Sequence, residues 1–192
     1  MWIATVPYED ATGELKAAYD RQAKALGAPT DMTLAGSLSP ALVSARLDLY
    51  AATEKCPSAI TPHQRNLISY VTSSINRTPY CMSQVTIKLR QTGLTDEQIV
   101  ELGTDPLRFA ESLPAEEAAL VRYTVKLTTD PGSVAESDID ALRAVGFTDL
   151  DIVDANAQCA HLNYVNRVAN GLGIKNVVDP DFPAYDAIPV SR

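Results

Sequence analysis

The sequence predicts an all-α fold, an antiparallel helix bundle, and three observations carry that expectation. Apolar residues recur at helical spacing along most of the chain. Helix-start signatures, a threonine or serine followed by proline or by a capping glutamine, punctuate it at Ser39-Pro40, Thr61-Pro62, Thr78-Pro79 and Thr95 to Gln98. No run alternates apolar and polar residues as a half-buried strand would. With 192 residues, 46% of them apolar, the chain has material for one substantial core and little for two, so residues 1–192 are expected to form a single domain.

Taken in order, Met1 to Asp10 reads as an extended arm, with Pro7 discouraging helix. A helix is expected from Thr12 to Leu26, closed by Gly27, with Leu15, Ala18, Tyr19, Gln22 and Leu26 inward. After a loop through Pro29 and a short apolar segment at Leu34, Ser39-Pro40 opens a helix whose buried stripe is Leu42, Val43, Leu47 and Tyr50. Thr61-Pro62-His63-Gln64 opens the next, with Leu67, Ile68, Val71 and Ile75 on one apolar face. Asn76-Arg77 ends it and Thr78-Pro79 starts another. A short helix follows Thr95 and stops near Gly103. Pro114 begins a longer one, with Leu120, Tyr123, Val125 and Leu127 inside, stopped by Asp130-Pro131-Gly132. Ala135 to Val145 is short and closed by Gly146. The last helix runs from Thr148 to about Gly171, with Asp149 and Asp151 at its positive end. The proline-rich tail, 175–192, is expected to lie over the surface or a neighbouring subunit.

The centre of interest is Ile60 to Gly93. Thr78-Pro79 places Cys81 in the first turn of its helix, where unpaired N–H groups and the helix dipole favour a thiolate. The other cysteines, Cys56 and Cys159, form no C-x-x-C spacing with it, so neither a disulfide framework nor a zinc site is expected. No metal or other cofactor is expected.

This segment resembles the core motif of the alkylhydroperoxidase D-like (AhpD-like) and carboxymuconolactone decarboxylase superfamily. There a glutamate, eleven intervening residues, C-x-x-C and then x-x-x-His follow one another, which sets Asn66 at the glutamate, Thr78 and Cys81 at the cysteines and Val85 at the histidine. Gln84 stands where many members carry a second histidine. EDATGELKAAYD, Ser39-Pro40-x-Leu42, FTDLDIVD and NYVNRVANGLG resemble the peroxidase-related subgroup. The resemblance implies an AhpD-like helical fold, a homo-oligomer and a site between the central helix pair and the last helix. It also implies a C-x-x-C motif that is degenerate, because only the attacking cysteine is present. Thr78 cannot form a disulfide, Asn66 cannot serve as a base and Val85 cannot pass a proton. Cys56 or Cys159 would resolve an oxidised Cys81 only from within about 7 Å, Cα to Cα.

The last helix adds a second feature. Asp154, Gln158 and His161 stand at i, i+4 and i+7, on one face of a helix that otherwise carries Ile152, Val153, Ala157, Ala160 and Val168. Two readings are open. The face is solvated or buried in a subunit contact, with His161 satisfied; or it borders a pocket near Cys81, with Asp154 orienting the imidazole. Asn163, Asn166 and Arg167 match the family's NxxNR pattern and are read as structural, tying helices together and supporting the oligomer.

The candidate catalytic residues are Cys81, His161 and Gln84, and the candidate binding residues are Asn66, Thr78, Tyr80, Asp154 and Gln158. Three functions are consistent with them. One is a small-molecule enzyme without the two-cysteine relay, doing acid–base chemistry on an organic acid or lactone. Another is a one-cysteine alkylhydroperoxidase resolved by an external thiol. The last is a non-catalytic small-molecule-binding protein. A net charge of −8 argues against nucleic acid and anionic membrane as partners. With no signal sequence or spanning stretch visible, a cytoplasmic location is the expectation.

Overall fold

A computed structural model describes residues 1–179. All of its regular structure is helical, in the order α1 (Gly13–Leu26), α2 (Asp31–Ala35), α3 (Pro40–Glu54), α4 (Pro62–Ile75), α5 (Pro79–Gln91), α6 (Asp96–Thr104), α7 (Pro106–Phe109), α8 (Ala115–Thr129), α9 (Glu136–Ala144) and α10 (Asp149–Leu172). Short 3-10 turns follow α7 and α8. Thr61 and Thr95 cap their helices as the sequence suggests, and Thr148 adds a third box that was not anticipated. Thr61 with Gln64, Thr95 with Gln98 and Thr148 with Asp151 each form a reciprocal capping box. Ser39 and Thr78 occupy N-cap positions without a side-chain cap bond, so there proline at the first helical position marks the start. Helix α7 was not anticipated. Asp105 caps it and Phe109 anchors it in the core.

Helix α4 lies at the centre, packed against α5, α6, α8 and α10. The expected single apolar face understates it, because every residue from 67 to 74 is buried, Ser69, Thr72, Ser73 and Ser74 included. A helix covered on all sides must satisfy its polar groups internally. Here α10 does much of that work. Ser69 accepts from Gln158 Nε2 at 2.9 Å, Ser73 accepts from Asn166 Nδ2 at 3.2 Å, and the Asn76 amide donates to Asn163 at 2.9 Å and Asn166 at 3.1 Å. Partner numbers rise together along both helices, so α10 runs beside α4 in the same direction. Helix α5 returns antiparallel to α4, as the His63–Thr92 hydrogen bond of 2.7 Å records. Asn163 and Asn166 thus tie helices together, while Arg167 is exposed and bonds only back to Asn163 among the described residues.

On α3, Val43 and Leu47 are buried, but Leu42 and Tyr50 of the expected stripe are 51% and 43% exposed. The reason is that α3 is covered on one side by α1 and α10 while its other flank is open. Gly173 closes α10 with φ of 73°, and the Trp2 indole lies where a side chain would have to go. Of the expected tail, residues 175–179 lie against the bundle. Val178 N–H donates to Ser83 at 3.0 Å and Asp179 pairs with Arg90 at 2.5 Å. The rest of the tail, 180–192, lies outside the described residues. Among the described residues no helix is long and apolar enough to cross a membrane.

Candidate functional site

A pocket of about 150 Å³ opens between α3, α4, α5 and α10, with α1 and α2 along one side. Six of the sequence candidates meet on its wall: Cys81, Gln84 and Tyr80 from α5, Asn66 from α4, and Gln158 and His161 from α10. Met32, Leu162, Val165 and Val85 give it an apolar lining. Thr78 and Asp154 are not part of it. The Thr78 hydroxyl is fully buried, accepting from Asn170 Nδ2 at 3.0 Å, and holds the α4–α5 break against α10. Asp154 is engaged by Arg65, whose Nη1 donates to it at 2.6 Å and whose Nη2 bonds its second oxygen, and by the Ser58 hydroxyl. Its expected role as orienter of His161 therefore fails. The two side chains share a helix, but the carboxylate belongs to a buried ion pair.

His161 is 4% exposed, and neither ring nitrogen has a hydrogen-bond partner among the described residues. Gln158 is 2% exposed, donates through Nε2 to Ser69, and leaves Oε1 without a partner. Native interiors seldom leave such groups unpaired, so each calls for a water, an ion or a ligand to complete it. Burial, reinforced by the positive charge of Arg46, pulls the His161 pKa down to about 4. The imidazole is neutral at physiological pH, with one acceptor and one donor nitrogen. The Tyr50 ring flanks it, centroid to centroid 5.9 Å.

The thiol of Cys81 runs against the sequence expectation. Its position in the first turn of α5 stands, yet it is 5% exposed and burial pushes its pKa up to about 12, with only a hydrogen bond from Asn166 pulling the other way. Desolvation outweighs the helix dipole, so the resting sulfur is a thiol. Cys159 lies in a different core cluster, its sulfur ringed by the hydroxyls of Thr72 and Thr128 and by Asn163. All three cysteines are free. Among the described residues no three His, Cys, Asp or Glu side chains are grouped to hold a metal.

Sequence reasoning missed Arg46, Tyr50, Glu54, Ser69 and Lys88, which also line the pocket. For Arg46 a signal existed, a lone cation inside the apolar run PALVSARLDLY. Burial lowers its pKa, and the phenols of Tyr164, Tyr80 and Tyr50 act against that.

Comparisons with known proteins agree with this architecture. The sequence model of the Carboxymuconolactone decarboxylase family matches residues 40–121, a span covering α3 to the middle of α8. No curated protein matches the sequence. Among solved structures, an uncharacterised peroxidase-related protein with an alkylhydroperoxidase AhpD core from Ralstonia eutropha JMP134 superposes with a TM-score of 0.79 at 22% identity, over 91% of this chain and 90% of that one. An uncharacterised peroxidase-related protein from Silicibacter sp. TM1040 gives 0.74 at 25% identity, over 87% of each chain. The debrominase Bmp8, as a cysteine-to-alanine variant in complex with 2,3,4-tribromopyrrole, gives 0.73 at 16% identity, over 98% of this chain and 95% of that one. Residues 40–121 thus match the Carboxymuconolactone decarboxylase family, and the helices around that segment complete an AhpD-like helical fold.

Proposed function

We propose that the protein is a small-molecule enzyme in which His161 performs acid–base chemistry on a small organic acid or lactone, the two-cysteine peroxidase relay being lost. The observation that carries this is a neutral imidazole, almost fully buried, with both nitrogens unpartnered on the pocket wall beside Cys81. Its unprotonated nitrogen can take a proton from a bound substrate and return it, the role histidine most often fills. Gln158 Oε1 and the side chains of Gln84 and Asn66 supply further polar contacts that fix orientation. A volume of about 150 Å³ resembles that of an engineered cavity known to take benzene, so a one-ring substrate fits. Bmp8, a protein of the same fold, takes the single-ring 2,3,4-tribromopyrrole.

One fact weighs against a one-cysteine peroxidase: the buried Cys81 is held as a thiol, whereas attack on peroxide needs thiolate. The test is a panel of small carboxylic acids and lactones followed by NMR. His161→Gln is expected to cut turnover by about a hundredfold or more, the usual worth of a general acid or base. Wild-type turnover in that variant overturns the reading. So does labelling of Cys81 by dimedone after alkyl hydroperoxide, which would restore the peroxidase.

A further inference from the structure

Two arginines border this region, and only one has an acid. Arg65 on α4 is buried and bound to Asp154. Arg46 on α3 is partly buried on the pocket wall, donates to Thr33 Oγ1 at 2.5 Å, and has no carboxylate partner among the described residues. Its electrostatic neighbours are the phenols of Tyr50, Tyr80 and Tyr164 and the like charge of Arg21. A cation withdrawn from water and given no anion is costly, and it is kept where an anion arrives from outside.

The remaining charges on the pocket wall are Lys88 and Glu54, both exposed and of opposite sign. They offset each other and leave one net positive charge at Arg46, in a chain whose own net charge is −8. Beside that charge stand the unpartnered nitrogens of His161 and an apolar flank that includes Met32 and Val165. A single cation with a planar fork of N–H donors suits a carboxylate, which it meets with two parallel bonds. A dianion would bring a second charge with nothing to balance it.

We infer that Arg46 is the anion-binding residue of this pocket and that the ligand is a planar monocarboxylate of about one ring, its carboxylate on Arg46 and its ring along the apolar flank. This rests on the reading of the pocket as the substrate site and names the substrate class. It also gives the arginine a part in the chemistry. A carboxylate seated on Arg46 cancels the repulsion that helps hold His161 unprotonated, so the imidazole becomes a stronger base only when substrate is present.

Titration calorimetry with benzoate and with benzamide, equal in shape and different in charge, tests the inference. Wild-type protein is expected to bind benzoate about tenfold or more tightly than benzamide, the worth of one charge-assisted contact. Arg46→Gln is expected to abolish that preference by weakening benzoate alone, and Arg46→Lys to restore part of it. Equal affinity for the two probes, no binding of either at millimolar concentration, or an unchanged preference in Arg46→Gln overturns the proposal. The probe comparison on wild type needs no variant to fold. Because it reads equilibrium binding, a dispensable His161 with the benzoate preference intact would remove the catalytic reading and leave this one. Intact His161-dependent turnover without the preference would remove this one alone.

Discussion

Two ends of one helical face carry opposite kinds of polarity. Toward the N-terminal half of α10, Asp154 is wholly buried and saturated, its two oxygens taken by Arg65 and Ser58, and Arg65 in turn donates to the Thr53 carbonyl at 2.7 Å. Two turns on, His161 is nearly as deeply buried and has no hydrogen-bond partner among the described residues. The helix, the face and the burial are the same. What differs is the neighbour: α4 offers Arg65 to one end, while the other faces the pocket, with Tyr50 and Arg46 of α3 near it and no hydrogen-bonding group against the ring. The saturated end closes the junction of α3, α4 and α10. The unsaturated end costs stability, which the ligand proposed above would offset.

The largest effect expected from this contrast is at the saturated end. Asp154→Ala strands the Arg65 guanidinium in the interior and should lower unfolding free energy by about 3–5 kcal/mol, the cost of breaking a buried ion pair from one side. Urea denaturation measures it. A loss below about 1 kcal/mol would mean that water reaches the arginine and that the pair behaves as a surface bridge.

The opposite sign is expected at His161. His161→Leu removes two unsatisfied nitrogens and should raise stability by about 1 kcal/mol or more while abolishing turnover, a trade of function for stability. The pH dependence sharpens this. The imidazole titrates near 4 when folded and near 6.5 in its ordinary environment. Between those values the unfolded chain binds a proton that the native state does not, so stability falls as pH drops from 6.5 toward 4. The whole contribution is roughly 3–4 kcal/mol, from 2.5 pH units at about 1.4 kcal/mol each. Wild type should lose it in melts across that window, and His161→Leu should show an acid limb flatter by that amount. Parallel acid limbs would show that the ring is protonated in the native state and already partnered.

How much of this was legible in the sequence follows from the range of each interaction. The capping boxes of α4 and α6 involve residues three apart and could be read directly, whereas that of α10 was read only as acidic residues at the helix's positive end. The gathering of Cys81, Gln84, Asn66, Gln158 and His161 came from the family motif and from one periodic face. What escaped was set by partners far along the chain. Asp154 and Arg65 are 89 residues apart, so nothing local to α10 told a structural carboxylate from a catalytic orienter. The Cys81 thiolate was inferred from a helix terminus, a local cause, and was overruled by burial under other helices, a tertiary one. Arg46 belongs to no motif, and its meaning appears only with the tyrosines and His161 around it.

The smallest effect is expected midway, at Gln158, and it tests whether the two ends form one gradient. Its amide donates to Ser69 while Oε1 stays unpartnered, so the residue is half saturated. Gln158→Met keeps length and volume, gives up one hydrogen bond worth about 1 kcal/mol, and relieves one buried acceptor of similar cost. The two changes should cancel to within about 1 kcal/mol in denaturation, even though the residue is almost as deeply buried as Asp154. Binding separates what stability does not, because an unpartnered Oε1 that accepts from the ligand must be missed when the ligand is present. Gln158→Met is therefore expected to weaken ligand affinity severalfold at nearly constant stability. A large stability loss would place Gln158 with Asp154 in the structural junction, and an unchanged affinity would confine the ligand's contacts to His161 and its neighbours.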